Sequence, residues 1–113
     1  MALVGELVRT GDVAYTSPIF RQADSATFKF DVVARDGTTA PTVEIKIFHK
    51  NAHDGDWNEG TPVATISNIT TTGVQASSSV TGLKEMIRAK VSTTAGSKDG
   101  WARIVFLAPV WNT

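Results

Sequence analysis

The 113-residue chain contains no cysteine. This absence excludes disulfide bonds, thiolate zinc sites and cysteine nucleophiles, although it leaves the redox compartment open. Histidine is almost as scarce, since His49 and His53 are the only two. The sequence also lacks a G-x-S-x-G nucleophile elbow and a glycine-rich loop of the kind that cradles phosphate. We therefore expect that the protein is not an enzyme.

An excess of charge of either sign is missing too, because eleven Lys and Arg residues balance eleven Asp and Glu residues. A chain of zero formal net charge has no overall field that attracts nucleic acid or an anionic membrane, so we expect neither partner. Copies of such a chain also repel each other little, which permits self-association.

Long apolar runs are the third absence. No stretch approaches the roughly 20 apolar residues that span a bilayer. The first ten residues contain Glu6 and Arg9 and do not show a cationic start followed by an apolar run. The sequence thus predicts no signal peptide, and we expect synthesis in the cytoplasm.

What the sequence does contain is a period-two alternation of apolar and polar residues, which is typical of β-strands. The clearest strands are predicted at 26–34 and at 42–50, where Phe48 interrupts the polar face. Alternation, small or β-branched residues and flanking turn residues predict further strands at 3–8, 17–21, 62–68, 74–80, 85–93 and 100–108. About eight short strands predict one all-β domain over residues 1–113, an antiparallel two-sheet β-sandwich of jelly-roll or immunoglobulin-like type.

Turn-forming residues separate the two clearest strands and also the last two. Residues 35–41 contain Asp36-Gly37, which supplies a positive φ, and end in Pro41, which cannot donate to a strand ladder. Residues 94–100 have a similar composition, with two glycines and an aspartate. These segments predict two hairpins, one joining 26–34 to 42–50 and the other joining 85–93 to 100–108.

Two groups of residues were candidates for binding a metal ion. His49 and His53 are four residues apart, but this spacing places two ligands on one face only in a helix, and here it crosses from a strand into a loop. Asp54, Asp56 and Asn58 resemble the opening of a calcium loop that lacks its glycine and final glutamate. We therefore assign no metal ligand and no cofactor, while a cation site of another type at Asp54 and Asp56 stays open.

Aromatic residues are the strongest candidates for binding a partner, because exposed rings make rigid and energetic contacts. Trp57 and Trp101 alternate with other residues in a manner that also suits a buried core. Trp111 lies in an apolar C-terminal tail, which we expect to dock on its own domain or on a neighbouring molecule. The candidate interface residues are Tyr15, Phe20, Trp57 and Trp111.

Four segments together form a recognisable pattern: Ala23-Asp24-Ser25-Ala26-Thr27-Phe28, Pro41-Thr42-Val43-Glu44-Ile45-Lys46-Ile47, Asp54-Gly55-Asp56-Trp57, and the strand at residues 83–91. The pattern resembles small β-sandwich structural proteins from the virions of tailed bacteriophages, and the similarity covers residues 17–107. The resemblance implies a capsid decoration or cement protein, or another head or tail accessory, located in the virion. Its implied partners are further copies of itself and a major capsid or other virion protein.

A cement protein stabilises a shell by burying surface across neighbouring subunits, with arms that supply reach. The segments suited to be arms are residues 1–16 and residues 108–113. The alternative function is a carbohydrate- or ligand-binding β-sandwich module. That alternative predicts a row of exposed aromatic rings on one sheet, with a bound glycan or calcium ion.

Overall fold

A computed structural model describes residues 6–112 of the chain. Within this range the protein is all-β and contains no helix that is long and apolar enough to cross a membrane. The strands are β1 (Glu6–Arg9), β2 (Val13–Tyr15), β3 (Ile19–Phe20), β4 (Ser25–Thr27), β5 (Lys29–Asp36), β6 (Thr42–Lys50), β7 (Ala64–Ile69), β8 (Gly73–Ala76), β9 (Met86–Thr94), β10 (Trp101–Phe106) and β11 (Val110–Asn112). Each of the eight predicted strands overlaps one or more of these.

The strands form two antiparallel sheets that pack against each other. Sheet A has the order β1-β10-β5-β8, and sheet B has the order β2-β9-β6-β7, with β3 also paired to β9. A short pair, β4 with β11, continues the β5–β10 ladder beyond an interruption at Phe28. The predicted all-β sandwich is therefore confirmed.

The core lies between the sheets and follows the alternation seen in the sequence. The inward side chains of β5 and β10 meet those of β6 and β9, and the rings of Phe30 and Phe106 stack with centroids 4.7 Å apart. Full burial of one such side chain stabilises the fold by roughly 1.5–3 kcal/mol. The main fully buried residues are Phe28, Phe30, Val32, Val43, Ile45, Ile47, Leu83, Ile87, Ala89 and Ala102.

Both predicted hairpins are wrong. Strand β5 lies in sheet A and β6 in sheet B, and likewise β9 lies in sheet B and β10 in sheet A. Each connection therefore crosses the core as an arch and does not turn back within one sheet. Alternation reports which face of a strand is buried, and two strands that face the same core from opposite sides satisfy it as well as two paired neighbours do.

The two arches, residues 37–41 and 95–100, pack against each other at one end of the sandwich. The backbone N–H of Ser97 donates to the carbonyl of Thr39 at 3.0 Å, and the N–H of Thr39 donates to Ser97 Oγ at 2.9 Å. The carboxylate of Asp99 accepts hydrogen bonds from the Ser97 hydroxyl and from the N–H of Thr38. These bonds lower the pKa of Asp99, and the bond from the Ser97 hydroxyl contributes most. The arches thus form one hydrogen-bonded unit.

The segments predicted as arms are incorporated into the sandwich where the structure describes them. Residues 6–16 contribute β1, which pairs with β10, and β2, which pairs with β9. Residues 1–5 of the predicted arm lie outside the described residues. In the C-terminal tail, β11 pairs with β4, so Trp111 docks on its own domain.

Candidate functional site

An apolar groove lies between β3 and the segment that follows β10. It encloses about 500 Å³ and is lined by Ile19, Phe20, Gln22, Leu107, Ala108, Pro109 and Trp111. Ile19 and Phe20 point to opposite faces of β3, so Ile19 packs against the core while Phe20 is 68% exposed. Two of the four predicted interface residues, Phe20 and Trp111, therefore lie at one site.

The far wall of the groove is held firmly by the core. The indole of Trp111 is half-buried and meets the ring of Phe28 edge-on, with centroids 6.5 Å apart and planes at 79°. On either side of Pro109, the N–H of Leu107 donates to the carbonyl of Lys29 at 3.0 Å and Val110 pairs with Thr27. The wall is thus set in place before any partner binds, which lowers the entropy cost of binding.

The groove offers a partner mainly apolar surface, although part of its surface is polar. The amide of Gln22 and the indole N–H of Trp111 are the only polar side-chain groups among the described residues that line it, and none of those residues carries an ionisable side chain. Pockets for small polar ligands use several convergent polar groups to fix orientation, and catalysis needs a nucleophile, acid or base. This groove therefore suits apolar groups better than small polar ligands.

A second cluster contains the other two predicted interface residues, Tyr15 and Trp57, on the outer face of sheet B. The guanidinium of Arg88 lies 4.4 Å from the ring centroid of Tyr15 and 4.8 Å from that of Trp57. Each contact is a cation–π interaction, worth roughly 0.5–1 kcal/mol at an exposed site. Arg88 thus joins a strand residue and a loop residue that are far apart in the sequence.

Glu59 fastens this cation–aromatic cluster, which consists of Tyr15, Trp57, Glu59, Arg88 and Lys90. Its carboxylate accepts hydrogen bonds from the Tyr15 hydroxyl at 3.0 Å, from Arg88 at 2.9 Å and from Lys90 at 3.3 Å. The hydrogen bond from Tyr15 is the main cause of the lowered pKa of Glu59, followed by the contributions of Lys90 and Arg88. The carboxylate of Glu59 thus has three partners within the cluster, whereas Arg88 Nε is buried without a hydrogen-bond partner among the described residues.

The cluster explains why Phe48 interrupts the polar face of β6. Phe48 is directly opposite Arg88 in the β6–β9 ladder, so both side chains point away from the core between the sheets. Phe48 is nevertheless only 1% exposed and does not belong to the core cluster. The loop 51–63 carries Trp57 and Glu59, which contact Arg88 on this outer face, so the loop covers the face on which Phe48 lies.

Two of the residues considered as metal ligands, His49 and Asp54, have other partners. His49 Nδ1 accepts the backbone N–H of Lys84 at 3.1 Å, and its pKa is lowered by burial and, to a smaller extent, by the charge of Lys84. Asp54 accepts the N–H of Asn51 at 2.9 Å and closes the turn after β6. His53 is exposed. Over residues 6–112 no three His, Asp or Glu side chains converge in a way that could hold a metal ion.

Trp57 and Trp101, whose spacing also suited a buried core, do not lie in the core. Trp57 is half-buried beneath Arg88 and Lys50, and Trp101 is half-buried on the outer face of sheet A, where it alternates with the buried Ala102. Sequence reasoning missed the roles of Arg88 and Glu59. The available signal was Phe48, because an apolar residue on a polar strand face indicates that something covers it.

Comparison with known proteins assigns no family to the chain. It matches no protein-family model, and no curated protein matches it in sequence. The apolar groove and the cation–aromatic cluster are therefore the features from which a function is inferred.

Proposed function

We propose that the protein is a non-enzymatic structural protein of a tailed-bacteriophage virion that binds a neighbouring protein subunit through the apolar groove. Its expected place is that of a capsid decoration or cement protein, or of another head or tail accessory. The observation that carries the proposal is the exposure of Phe20, 68%, beside a preformed groove lined almost wholly by apolar residues. The virion setting is supported by the sequence resemblance over residues 17–107.

The groove has the properties of a contact site for protein. Burying Phe20 and filling the groove with a partner's side chain would remove apolar surface from water on both molecules, at about 25 cal/mol per Å². Aromatic anchors in preformed pockets dominate the energies of protein interfaces. On a symmetric shell the same contact is repeated many times, so a weak single contact suffices.

The alternative function, a carbohydrate-binding module, is favoured by one observation only. Tyr15 is exposed and shares the outer face of sheet B with the half-buried Trp57. Arg88 stacks on both rings, and Glu59 engages the Tyr15 hydroxyl that would otherwise bond a sugar. Because these groups already serve one another, the cluster supports carbohydrate binding less well than the groove supports protein binding.

The proposal is tested with shells assembled from the major capsid protein encoded in the same genome. Co-sedimentation should show saturable binding of the wild-type chain, and Phe20→Ser should weaken it at least about tenfold, since an aromatic anchor is removed. Val13→Ser is the matched control, because Val13 is also exposed on the same edge of sheet B but does not line the groove. Circular dichroism would verify that both variants are folded.

Three outcomes would count against the proposal. Wild-type chain that stays in the supernatant would overturn the capsid-binding role. Equal binding by Phe20→Ser and wild type would remove the groove from the mechanism. A tryptophan fluorescence change on titration with oligosaccharides, abolished by Trp57→Ala, would support the carbohydrate-binding alternative.

A further inference from the structure

One edge of the sandwich has an unusual composition. Residues 60–83 contain no charged side chain, and this uncharged stretch includes both β7 and β8. These strands are the edges of sheet B and sheet A on the same side of the molecule. Natural proteins usually protect exposed edges with charges, proline or bulges, because an open edge is a template for another strand.

Over residues 6–112, the other edges carry such protection and β8 does not. The exposed Arg9 ends β1, and the edge formed by β2 and β3 is broken by a segment that contains Pro18. In β7 the register with β6 shifts, and Asn68 adopts a φ of 55°, as expected for a bulge. The pairing of β8 with β5 runs without a shift through all four residues.

The register shows which backbone groups of β8 point outward. The N–H of Ser77 donates to the carbonyl of Phe28 at 2.8 Å, which fixes the alternation of the ladder. Because alternate residues of a strand bond to the same neighbour, Gln75 and Gly73 also bond to β5. Val74 and Ala76 direct their N–H and C=O groups to the open edge. The side chain of Val74 is also 58% exposed.

We infer that β8 pairs with β8 of a second copy of this chain, antiparallel about a two-fold axis at Gln75. In this register Val74 of one protomer lies opposite Ala76 of the other, and the two pairs exchange about four backbone hydrogen bonds. Sheet A becomes continuous across the dimer. The inference deepens the proposed function and rests on it only for the expectation that copies associate.

A second copy is the occupant that the charge pattern favours. In an isologous contact the residue on the axis meets its own symmetry mate and residues beside it lie close to theirs, so a single charge there would be near a like charge. The uncharged stretch 60–83 meets this requirement, and the zero net charge of the chain adds no long-range repulsion. An acidic or basic peptide would find no complementary charge on β8 itself, and Lys29 and Asp31 on the adjacent β5 are of opposite sign.

Sedimentation equilibrium tests the inference through Val74→Lys and Ala76→Pro. The wild-type chain should sediment at twice the 12.1 kDa chain mass. Lysine at position 74 places two like charges about 7–8 Å apart across the axis, and proline at position 76 removes an outward N–H. Each change should raise the dimer dissociation constant at least about tenfold without removing a bond to β5.

Leu7→Lys is the matched control, because Leu7 is 53% exposed on the outer face of sheet A but lies on the opposite edge strand. It should leave the dimer intact. Amide hydrogen exchange gives a second readout: Val74 and Ala76 should gain protection as concentration rises, whereas Gln75 should be protected throughout.

Two results would overturn the inference. One is a wild-type chain that remains monomeric at millimolar concentration, and the other is a dimer that Val74→Lys and Ala76→Pro leave unchanged. If Phe20→Ser dissociates the dimer and Val74→Lys does not, copies associate through the groove and not through β8. If Phe20→Ser abolishes capsid binding and leaves the dimer intact, the groove is the capsid-binding site and is not the dimer contact.

Discussion

The contact between the two arches makes Gly37→Ala the most informative perturbation of the fold. Gly37 has a φ of +122°, which side chains other than glycine rarely adopt. A Cβ added there would lie 2.5 Å from Gly100 Cα and 2.9 Å from Gly100 N. Both neighbours are backbone atoms, so no side chain can rotate away to make room.

The expected change in the free energy of unfolding combines two costs and one gain. The unfavourable φ costs about 1–3 kcal/mol, and forcing apart two packed backbones costs roughly another 1–3 kcal/mol. Replacing glycine by alanine also reduces the entropy of the unfolded chain, which returns about 0.4–1 kcal/mol. We expect Gly37→Ala to lower the free energy of unfolding by about 1–5.5 kcal/mol, a large share of the total for a domain of this size.

The matched control is Gly73→Ala, because Gly73 has a φ of +115° but no atom within 4 Å of an added Cβ. Gly73→Ala introduces the backbone strain without the clash. It should therefore lower the free energy of unfolding by about 1–3 kcal/mol less than Gly37→Ala does. Gly11→Ala, with a φ of +87° and open space, provides a second control remote from β8. Urea unfolding at constant m-value measures all three; equal losses for Gly37→Ala and Gly73→Ala would refute the steric argument.

Two further predictions concern His49 and Trp111. Because the folded-state pKa of His49 lies below its ordinary value of 6.5, the unfolded chain takes up the proton first as the pH falls through 6.5, so stability decreases below that pH. The urea midpoint should decrease less between pH 7.5 and about 5.5 for His49→Gln than for wild type. Equal decreases of the midpoint in both proteins would contradict this prediction. Trp111→Ala should cost about 2 kcal/mol in a thermal melt, because its half-buried ring packs on Phe28, whereas the exposed Val110→Ala should cost less than about 0.5 kcal/mol.

Alternation located the longer strands because it is a direct record of burial, but the short strands β2 and β11 were not predicted. Phe30 and Val32 of β5, and Ile45 and Ile47 of β6, are all fully buried as their spacing predicts. Pairing was not predictable in the same way. The turn chemistry at Gly37 was identified correctly, since a positive φ is present, but it serves an arch between sheets and not a hairpin within one sheet.

The candidate interface residues were selected one at a time, and their grouping in space was not predicted. Phe20 and Trp111 meet at the groove, while Tyr15 and Trp57 meet on Arg88, and each pair comes from segments far apart in the chain. Composition and exposure arguments select such residues one at a time. Their proximity depends on strand order, which one sequence without paired-residue information does not specify.

The groove and the edge of β8 are compatible with one assembly. No residue that lines the groove belongs to β8, so a dimer formed through β8 carries two copies of the groove. When one groove of such a dimer binds a shell subunit, the second is held near the surface at a high effective concentration. Apparent affinity for a repetitive shell should therefore exceed affinity for an isolated subunit, and Val74→Lys should reduce the first while leaving the second unchanged. Equal loss of both affinities would show that β8 itself contacts the shell.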